Sequence, residues 1–203
     1  MVDISFEGCP PIYSGRVDSF KRFVAEIMRK VNPSVVEIGI FRKEVTDPGI
    51  AGDGGSSPIL AWAVNKVSGT LDCCDINEVS VANCKKALEY YGQFTSNVHV
   101  HLMDGKEFVE NYPNPIDVIY IDGLDFSPNK REDSMKWHLA VFKAAEPKLV
   151  PGAVIMFDDI FDTETWFGKG GMAIPYMLDS GKYEVLYKGY QVILKKRIPG
   201  NIS

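Results

Sequence analysis

The sequence lacks any apolar run of the length that a membrane-spanning helix needs. Apolar residues make up 45% of the 203 residues, but no segment approaches the roughly 20 consecutive apolar residues that cross a bilayer. The first ten residues, MVDISFEGCP, also lack the basic segment and apolar core of a signal peptide. We therefore expect a cytoplasmic protein that has no membrane partner.

Cysteine and histidine spacings typical of a disulfide framework or a zinc site are missing as well. The four cysteines (Cys9, Cys73, Cys74 and Cys84) contain no CxxC pair, and the three histidines contain no HxxxH pair. Cys73 and Cys74 are adjacent within an apolar stretch, which is typical of cysteines that pack as small hydrophobic side chains. Neither a structural disulfide nor a zinc site is expected.

An excess of positive charge is also absent. The chain has 22 lysines and arginines against 27 acidic residues, for a formal net charge of −5. Non-specific binding to a nucleic-acid backbone requires a basic face. We therefore expect no nucleic-acid partner.

What the sequence does contain is an alternation of strand-like and helix-like segments. Short apolar, β-branched runs predict strands at residues 35–39, 70–75, 97–103, 116–121, 153–157, 183–187 and 191–195. Helical periodicity predicts helices at 18–31, from 56 onward, and at 77–91, 105–112, 131–149 and 171–180. Alternation of this kind predicts an α/β fold with a parallel sheet. We expect a single domain over residues 1–203, with a helical lead-in at 1–34 and a core at 35–196.

Each of the first five predicted strands ends at or near an acidic residue. These residues are Glu37, Asp75, Asp104, Asp122 and the pair Asp158-Asp159. Ligands of parallel α/β sheets bind beyond the carboxyl ends of the strands. Asp75 is placed to hold the two hydroxyls of a ribose, although it could instead cap the helix that follows.

A Gly-rich stretch, Gly52-Asp53-Gly54-Gly55-Ser56-Ser57, precedes the second predicted helix. Such a turn lets backbone amides approach a ligand. It contains neither the Gly-Lys-Ser/Thr of a Walker motif nor a clean GxGxxG, so its glycines are also compatible with a surface loop.

As a set, these segments resemble class I S-adenosylmethionine-dependent methyltransferases. Residues 35–39 with 52–57 resemble the first motif of that class, 71–75 the ribose-binding motif, 101–105 the adenine-binding strand end, 116–123 the fourth motif and 149–159 the fifth. The resemblance implies a Rossmann-like three-layer sandwich with a mostly parallel seven-stranded sheet and a C-terminal antiparallel hairpin. In this chain residues 40–51 interrupt the first motif, and we interpret them as a flap over the cofactor or an interface loop.

The resemblance also implies which residues bind S-adenosylmethionine. The expected cofactor-binding residues are Glu37, Gly39, Gly54, Ser56, Ser57, Asp75, Asp104, Gly105 and Asp122.

Within the class, the chain most resembles the metal-dependent O-methyltransferases of the catechol, caffeoyl-coenzyme A and macrocin types. That resemblance implies a magnesium ion held by Asp122, Asp158 and Asp159. Carboxylates that converge in one cleft favour a bound cation, and magnesium prefers oxygen ligands. The opposing consideration is that neighbouring residues of a strand point to opposite faces.

The catalytic candidates are Asp122, Asp125 and His138. The resembling families have Lys or His three positions after the fourth-strand acid, where this chain has Asp125. His138 has a more suitable intrinsic pKa for a general base, but the sequence favours a partly buried structural histidine over that role.

The expected acceptor is a hydroxyl of a small molecule. Phe126, Trp166 and Phe167 are expected to cover it, and Lys169-Gly170-Gly171 is interpreted as a hinge. Two other functions stay open: a Rossmann-type nicotinamide-dependent oxidoreductase, and a cofactor-binding protein without methyl transfer. The sequence is compatible with a homodimer.

Overall fold

The protein is described by a computed structural model that covers residues 4–13, 15–46 and 55–200. Its strands, in chain order, are β1 (Ser34–Ile38), β2 (Thr70–Asp75), β3 (Val98–Leu102), β4 (Ile116–Ile121), β5 (Leu149–Phe157), β6 (Ile160–Asp162), β7 (Phe167–Gly168), β8 (Tyr183–Tyr187) and β9 (Val192–Lys196). Its helices are α1 (Val17–Met28), α2 (Ser56–Lys66), α3 (Glu78–Tyr90), α4 (Gly105–Asn111), α5 (Arg131–Ala145) and α6 (Ala173–Asp179). Each of these helices is too short or too polar to cross a membrane.

Seven of these strands form one sheet in the order β3-β2-β1-β4-β5-β9-β8. The five strands from β3 to β5 are parallel, and β9 is antiparallel to both of its neighbours. This arrangement confirms the predicted α/β fold with its terminal antiparallel hairpin. The chain order reverses between β1 and β4, and the crevice at such a switch point is where open α/β sheets bind ligands.

Apolar side chains cover both faces of the sheet. Val35 belongs to a core shared with α1, α2 and α3, whereas its neighbour Val36 belongs to a core shared with α4, α5 and α6. Successive residues of a strand point to opposite faces, so an uninterrupted β-branched run can serve both cores. Burying one such side chain contributes roughly 1.5–3 kcal/mol, and these two layers hold the strand ends in register.

Two element boundaries differ from the sequence prediction. The fifth helix ends at Ala145, and Glu146–Lys148 forms a 3-10 turn instead of a further α-helical turn. Pro147 explains the change, because proline has no backbone N–H and disfavours the helical conformation of the residue before it. The chain then enters β5 at Leu149, four residues before the predicted start.

The segment between β5 and α6, which we expected to be a loop, contains a small antiparallel pair. β6 and β7 pair through Ile160 with Gly168 and through Asp162 with Phe167. This hairpin brings residues 167–169 back over the carboxyl end of the main sheet, where the backbone N–H of Lys169 donates to the carbonyl of Asp159 at 3.2 Å.

Candidate functional site

Two adjoining cavities lie at the carboxyl ends of the parallel strands. They measure about 380 and 230 Å³, and Gly39, Arg42, Asp75 and Gly123 line both of them. A larger and more open concavity of about 680 Å³ lies elsewhere, beside Trp62. We take the paired cavities as the candidate site because they lie at the switch point, where the strand-end carboxylates meet.

The larger of the two, the 380 Å³ cavity, contains four of the residues predicted to bind a cofactor. Gly39, Asp75, Asp104 and Gly105 line it. The Asp75 carboxylate accepts a hydrogen bond from the backbone N–H of Asn77 at 2.8 Å. Because the side chain of Asn77 itself caps α3, Asp75 is not the cap of that helix.

The strand-end acids of β2 and β3 hold the backbone around this cavity in place. Asp104 caps α4 by accepting from the N–H groups of Lys106 and Glu107, each at 3.0 Å. Asp75 also lies 3.5 Å from the backbone nitrogen of Ile40, the residue after Gly39. Both carboxylates thus support local turns while they face the cavity.

Gly39 allows the first strand to turn at the point where the cavities meet. Its φ is +80°, and a Cβ atom at this position would lie 2.3 Å from the carbonyl oxygen of Asp122. A side chain here would meet both the left-handed backbone penalty and the backbone of the neighbouring strand end. Only glycine fits this close approach of β1 to β4.

Other predicted cofactor residues lie away from the two cavity walls. Glu37 is fully buried in β1, opposite Cys73 of β2. Ser56 and Ser57 are buried at the start of α2, where the Ser57 hydroxyl accepts from the backbone N–H of Phe41 at 3.0 Å. Gly54, together with part of the 40–51 insertion, lies outside the described residues.

Within the core, Glu37 affects the titration of the Cys73 thiol. Burial raises the pKa of the Cys73 thiol well above its ordinary value, and the neighbouring Cys84 and Glu37 raise it further. All three groups therefore belong to the buried face between the sheet and its helices, and Cys73 stays a protonated thiol.

The smaller, 230 Å³ cavity is highly charged. Its wall includes the carboxylates of Asp122 and Asp159 and the cationic side chains of Arg16 and Lys169. The Lys169 ammonium bridges the two carboxylates, with Nζ 2.5 Å from Asp122 Oδ1 and 2.8 Å from Asp159 Oδ2. Lys169 is only 2% exposed, so the bridge is largely shielded from bulk water.

Asp158 lies behind this wall and is 1% exposed. Its Oδ2 accepts from Arg16 Nε at 3.1 Å and from the Tyr120 hydroxyl at 2.5 Å. Arg16 also lies 3.6 Å from Asp159. Because the backbone of Asp159 is left-handed, with φ of 51°, the two adjacent carboxylates both reach the same guanidinium.

The charges shift the pKa values of the groups around the 230 Å³ cavity. Burial raises the pKa of Asp122 well above its ordinary value; Lys169 opposes the rise, and the carboxylates of Asp158 and Asp159 add to it. For Asp159, burial acts in the same upward direction, but Lys169, Tyr190 and Arg16 together bring the pKa below its ordinary value. Burial would lower the pKa of Lys169, but Asp122 and Asp159 raise it. Lys169 is therefore a fixed cation.

The predicted magnesium site does not fit this arrangement. We expected Asp122, Asp158 and Asp159 to bind a metal ion because the family resemblance implies it and because converging carboxylates favour a cation. The fold instead supplies Lys169 and Arg16 from distant segments. Within residues 4–13, 15–46 and 55–200, no group of three or more His, Cys, Asp or Glu side chains is arranged to hold a metal ion.

The structure separates the two further catalytic candidates from the charged cavity. Asp125 is exposed at the rim of the 380 Å³ cavity and pairs with Arg42 at 3.1 Å. His138 is fully buried in α5, and its Nδ1–H donates to the carbonyl of Ser134 at 2.8 Å. Burial and the nearby positive charge of Lys169 lower the pKa of His138 to about 3. This histidine is therefore not placed to take a proton from a molecule in either cavity.

An aromatic cluster adjoins the charged cavity. The rings of Phe126, Phe161 and Phe167 lie 5.2–6.3 Å apart, and Tyr190 packs 5.8 Å from Phe161. The Tyr190 hydroxyl donates to Asp159, so the cluster is continuous with the carboxylate network. Trp166, which we had grouped with these rings, instead lies under the ammonium of Lys188.

Sequence reasoning missed the two cations and Tyr190. Arg16 precedes the first helix, and Tyr190 lies in the turn before β9, far in sequence from the acids that they contact. Lys169 was visible only as part of Lys169-Gly170-Gly171, which we interpreted as a hinge. Its burial between two carboxylates corrects that interpretation.

Three solved structures with similar folds are distant from this chain in sequence. A protein provisionally named an rRNA methylase, from Clostridium thermocellum, is 15% identical with a TM-score of 0.63, over 93% of this chain and 100% of that one. An O-methyltransferase from Bacillus cereus, solved in complex with SAH, is 14% identical with a TM-score of 0.58, over 92% and 84%. A protein provisionally named a caffeoyl-CoA O-methyltransferase, from Staphylococcus aureus, is 14% identical with a TM-score of 0.58, over 94% and 87%. At these identities the likeness shows the fold.

Sequence comparison with families gives the more specific result. No curated protein matches the chain. A family model described as a methyltransferase domain matches residues 51–160. This match covers more than half of the 203 residues and includes the strand ends that carry Asp75, Asp104, Asp122 and Asp159. The chain belongs to this family of S-adenosylmethionine-dependent methyltransferase domains.

Proposed function

We propose that the protein transfers the methyl group of S-adenosylmethionine to a hydroxyl of a small molecule. The cofactor would occupy the 380 Å³ cavity and the acceptor the 230 Å³ cavity. The observation that carries this proposal is the wall that the two cavities share at Gly39, Asp75 and Gly123. A ligand that extends across that wall would bring its reactive centre to the charged network.

The 380 Å³ cavity suits the nucleoside part of the cofactor. The Asp75 carboxylate faces it and can accept hydrogen bonds from two ribose hydroxyls. Ile76 and Trp137 supply apolar surface for the base. In the 230 Å³ cavity and behind it, the carboxylates outnumber the cations by one: Asp75, Asp122, Asp158 and Asp159 against Arg16, Arg42 and Lys169. The remaining negative charge favours a positively charged sulfonium.

The charged cavity suits an oxygen acceptor. Lys169 can only donate hydrogen bonds, so the atom beside its ammonium must offer a lone pair. A hydroxyl oxygen meets this condition, whereas a protonated amine does not. In the transfer, the acceptor oxygen forms a bond to the methyl carbon, the bond from that carbon to sulfur breaks, and SAH leaves.

Asp122 is the group placed to take the hydroxyl proton. It lines the 230 Å³ cavity directly, and burial raises its pKa, which makes it a stronger base than an exposed aspartate. In this assignment Asp122 is the general base, and Lys169 stabilises the developing negative charge on the acceptor oxygen.

The surroundings of the charged cavity favour a small acceptor with an apolar or aromatic body. Phe161 and Phe167 are substantially exposed in the aromatic cluster, which reaches the cavity through Tyr190, and an aromatic or sugar ring can stack on them. The net charge of −5 disfavours a polyanionic acceptor such as RNA.

The proposal is tested by methyl transfer from labelled S-adenosylmethionine to separate panels of phenols, sugars, amines and RNA. Formation of SAH and labelled product should occur with a hydroxyl compound. With that acceptor, Asp122→Asn should lower kcat by about 100-fold or more, which should exceed any loss of affinity for S-adenosylmethionine. Asp179→Asn, which alters an exposed carboxylate on α6, is the matched control and should behave as the wild type.

Two outcomes would overturn the proposal. Transfer only to amines or to RNA would show that the acceptor class is wrong. Binding of S-adenosylmethionine without transfer to any panel would favour a cofactor-binding protein without catalysis.

A further inference from the structure

Each of the three carboxylates of the charged network is already in contact with donors of the chain itself. Asp122 contacts the Lys169 ammonium at 2.5 Å and the Tyr120 hydroxyl at 3.2 Å. Asp158 accepts from the backbone N–H of Asp159 at 2.7 Å, in addition to the Tyr120 hydroxyl and Arg16. Every oxygen of these two carboxylates therefore lies within hydrogen-bond distance of a donor.

Asp159 completes the same pattern. Its Oδ2 lies 2.8 Å from the Lys169 ammonium. Its Oδ1 accepts from the Tyr190 hydroxyl and lies 3.6 Å from the Arg16 guanidinium. In a metal site, the carboxylate oxygens must be free to coordinate the ion. In this network they already contact donors of the protein.

Lys169 is held in position through its backbone as well as its side chain. Its backbone N–H donates to the carbonyl of Asp159 at 3.2 Å. The preceding Gly168 packs so closely on that carbonyl that a Cβ atom would lie 2.1 Å from the oxygen. The ammonium thus has a defined place between Asp122 and Asp159, which a surface lysine would not have.

We propose that the Lys169 ammonium is the built-in cation of this site and that it takes the place a divalent metal would need between Asp122 and Asp159. A magnesium ion bound to both carboxylates would approach the two oxygens that Lys169 already contacts, at about 2.0–2.1 Å. The ammonium and the dication would then repel each other at short range. The site therefore takes no divalent metal while Lys169 is present.

This inference deepens the proposed function, because it assigns to Lys169 the charge stabilisation at the acceptor oxygen. The exclusion of a divalent metal by Lys169 can be tested independently of methyl transfer. Removing the ammonium should leave three carboxylates with one bridging cation fewer, although Arg16 stays in contact with Asp158 and Asp159. This set should attract a divalent ion.

The test is a titration of Mn²⁺ followed by electron paramagnetic resonance, which measures free Mn²⁺. The wild-type protein should bind Mn²⁺ more weakly than about 1 mM. Lys169→Met, which keeps an unbranched side chain as far as the ε position but removes the ammonium, should bind one Mn²⁺ at least about tenfold more tightly. Adding Asp122→Asn to this variant should weaken that binding again. Lys169→Arg keeps the positive charge and should match the wild type.

Wild-type binding of one Mn²⁺ below about 0.1 mM that Asp122→Asn abolishes would overturn the proposal. So would Lys169→Met that folds, as shown by circular dichroism, but binds Mn²⁺ no better than the wild type. If Lys169→Met does not fold, the Mn²⁺ titration of the wild-type protein still tests the proposal. Because this readout uses neither cofactor nor acceptor, failure of the proposed methyl transfer would not affect it.

Discussion

Arg16 donates its Nε–H to Asp158 at 3.1 Å, across 142 residues of sequence. The guanidinium also lies 4.8 Å from the centre of the Tyr190 ring. The segment before α1 is therefore part of the site, because it supplies the cation that accompanies a nearly fully buried carboxylate.

Removal of Arg16 should destabilise the protein strongly. Arg16→Met leaves the buried Asp158 without its cation, and breaking a buried pair in this way costs about 3–5 kcal/mol. Urea unfolding should show a loss of this size. Arg22→Met, at an exposed position of α1, is the control and should change the free energy of unfolding by less than about 0.5 kcal/mol. A loss no larger than that of the control would show that the pair is not needed for stability.

Substitution of Gly39 should lower the free energy of unfolding by more than its left-handed backbone conformation alone explains. Gly39→Ala combines a positive φ with a Cβ placed against the Asp122 carbonyl. Gly181→Ala is a matched control, because Gly181 has a φ of +69° and nothing within 4 Å of its Cβ position. In the control, the free energy of unfolding should fall by about 1–2 kcal/mol. In Gly39→Ala it should fall by about 1–3 kcal/mol more because of the clash. Equal losses in the two variants would mean that the close approach relaxes without cost.

His138 should make the stability of the protein depend on pH. Its pKa is about 3 in the folded protein, against an ordinary value of 6.5. Between these values the unfolded chain binds the proton more readily, so the free energy of unfolding should fall as the pH decreases from about 6.5 toward 3. The steepest contribution is about 1.4 kcal/mol per pH unit.

Urea unfolding of the wild type and of His138→Asn from pH 7 to pH 4 isolates this contribution. In the variant, the free energy of unfolding should depend less steeply on pH, because the imidazole no longer contributes. Parallel slopes for the two proteins would contradict the lowered pKa of His138.

The sequence was sufficient to predict the fold because the signals that define it are local. Residues 70–75 and 116–121 were predicted as strands and form β2 and β4 with the same bounds. Their apolar runs lie between residues that favour turns, and no distant contact is needed to recognise them. The acids at the strand ends could also be read from the sequence, since parallel strands bring their carboxyl ends to one edge.

The chemistry of the charged cavity was not predictable in the same way. The metal site was inferred from the family resemblance and from the convergence of three carboxylates, but Lys169 reaches Asp122 through the β6–β7 hairpin, and Arg16 reaches Asp158 from the segment before α1. Charge compensation in a fold depends on three-dimensional proximity, which sequence neighbours do not reveal. The burial of His138 was likewise determined by how α5 packs on the sheet.

Asp75 should contribute strongly to cofactor affinity. If its carboxylate holds the ribose hydroxyls, Asp75→Ala should weaken binding of S-adenosylmethionine by roughly 1.5–3 kcal/mol, which is typical of hydrogen bonds to a charged group. Isothermal titration calorimetry measures this difference. Asp179→Asn should retain the wild-type affinity. An unchanged affinity in a folded Asp75→Ala protein would remove the assignment of this carboxylate to the cofactor.

The most direct test of the account is calorimetric titration of the wild-type protein with S-adenosylmethionine and, separately, with NAD. One S-adenosylmethionine should bind per chain, and NAD should produce no binding heat, because the 380 Å³ cavity belongs to a methyltransferase domain. Binding of NAD without binding of S-adenosylmethionine would contradict the assignment of this cavity to S-adenosylmethionine.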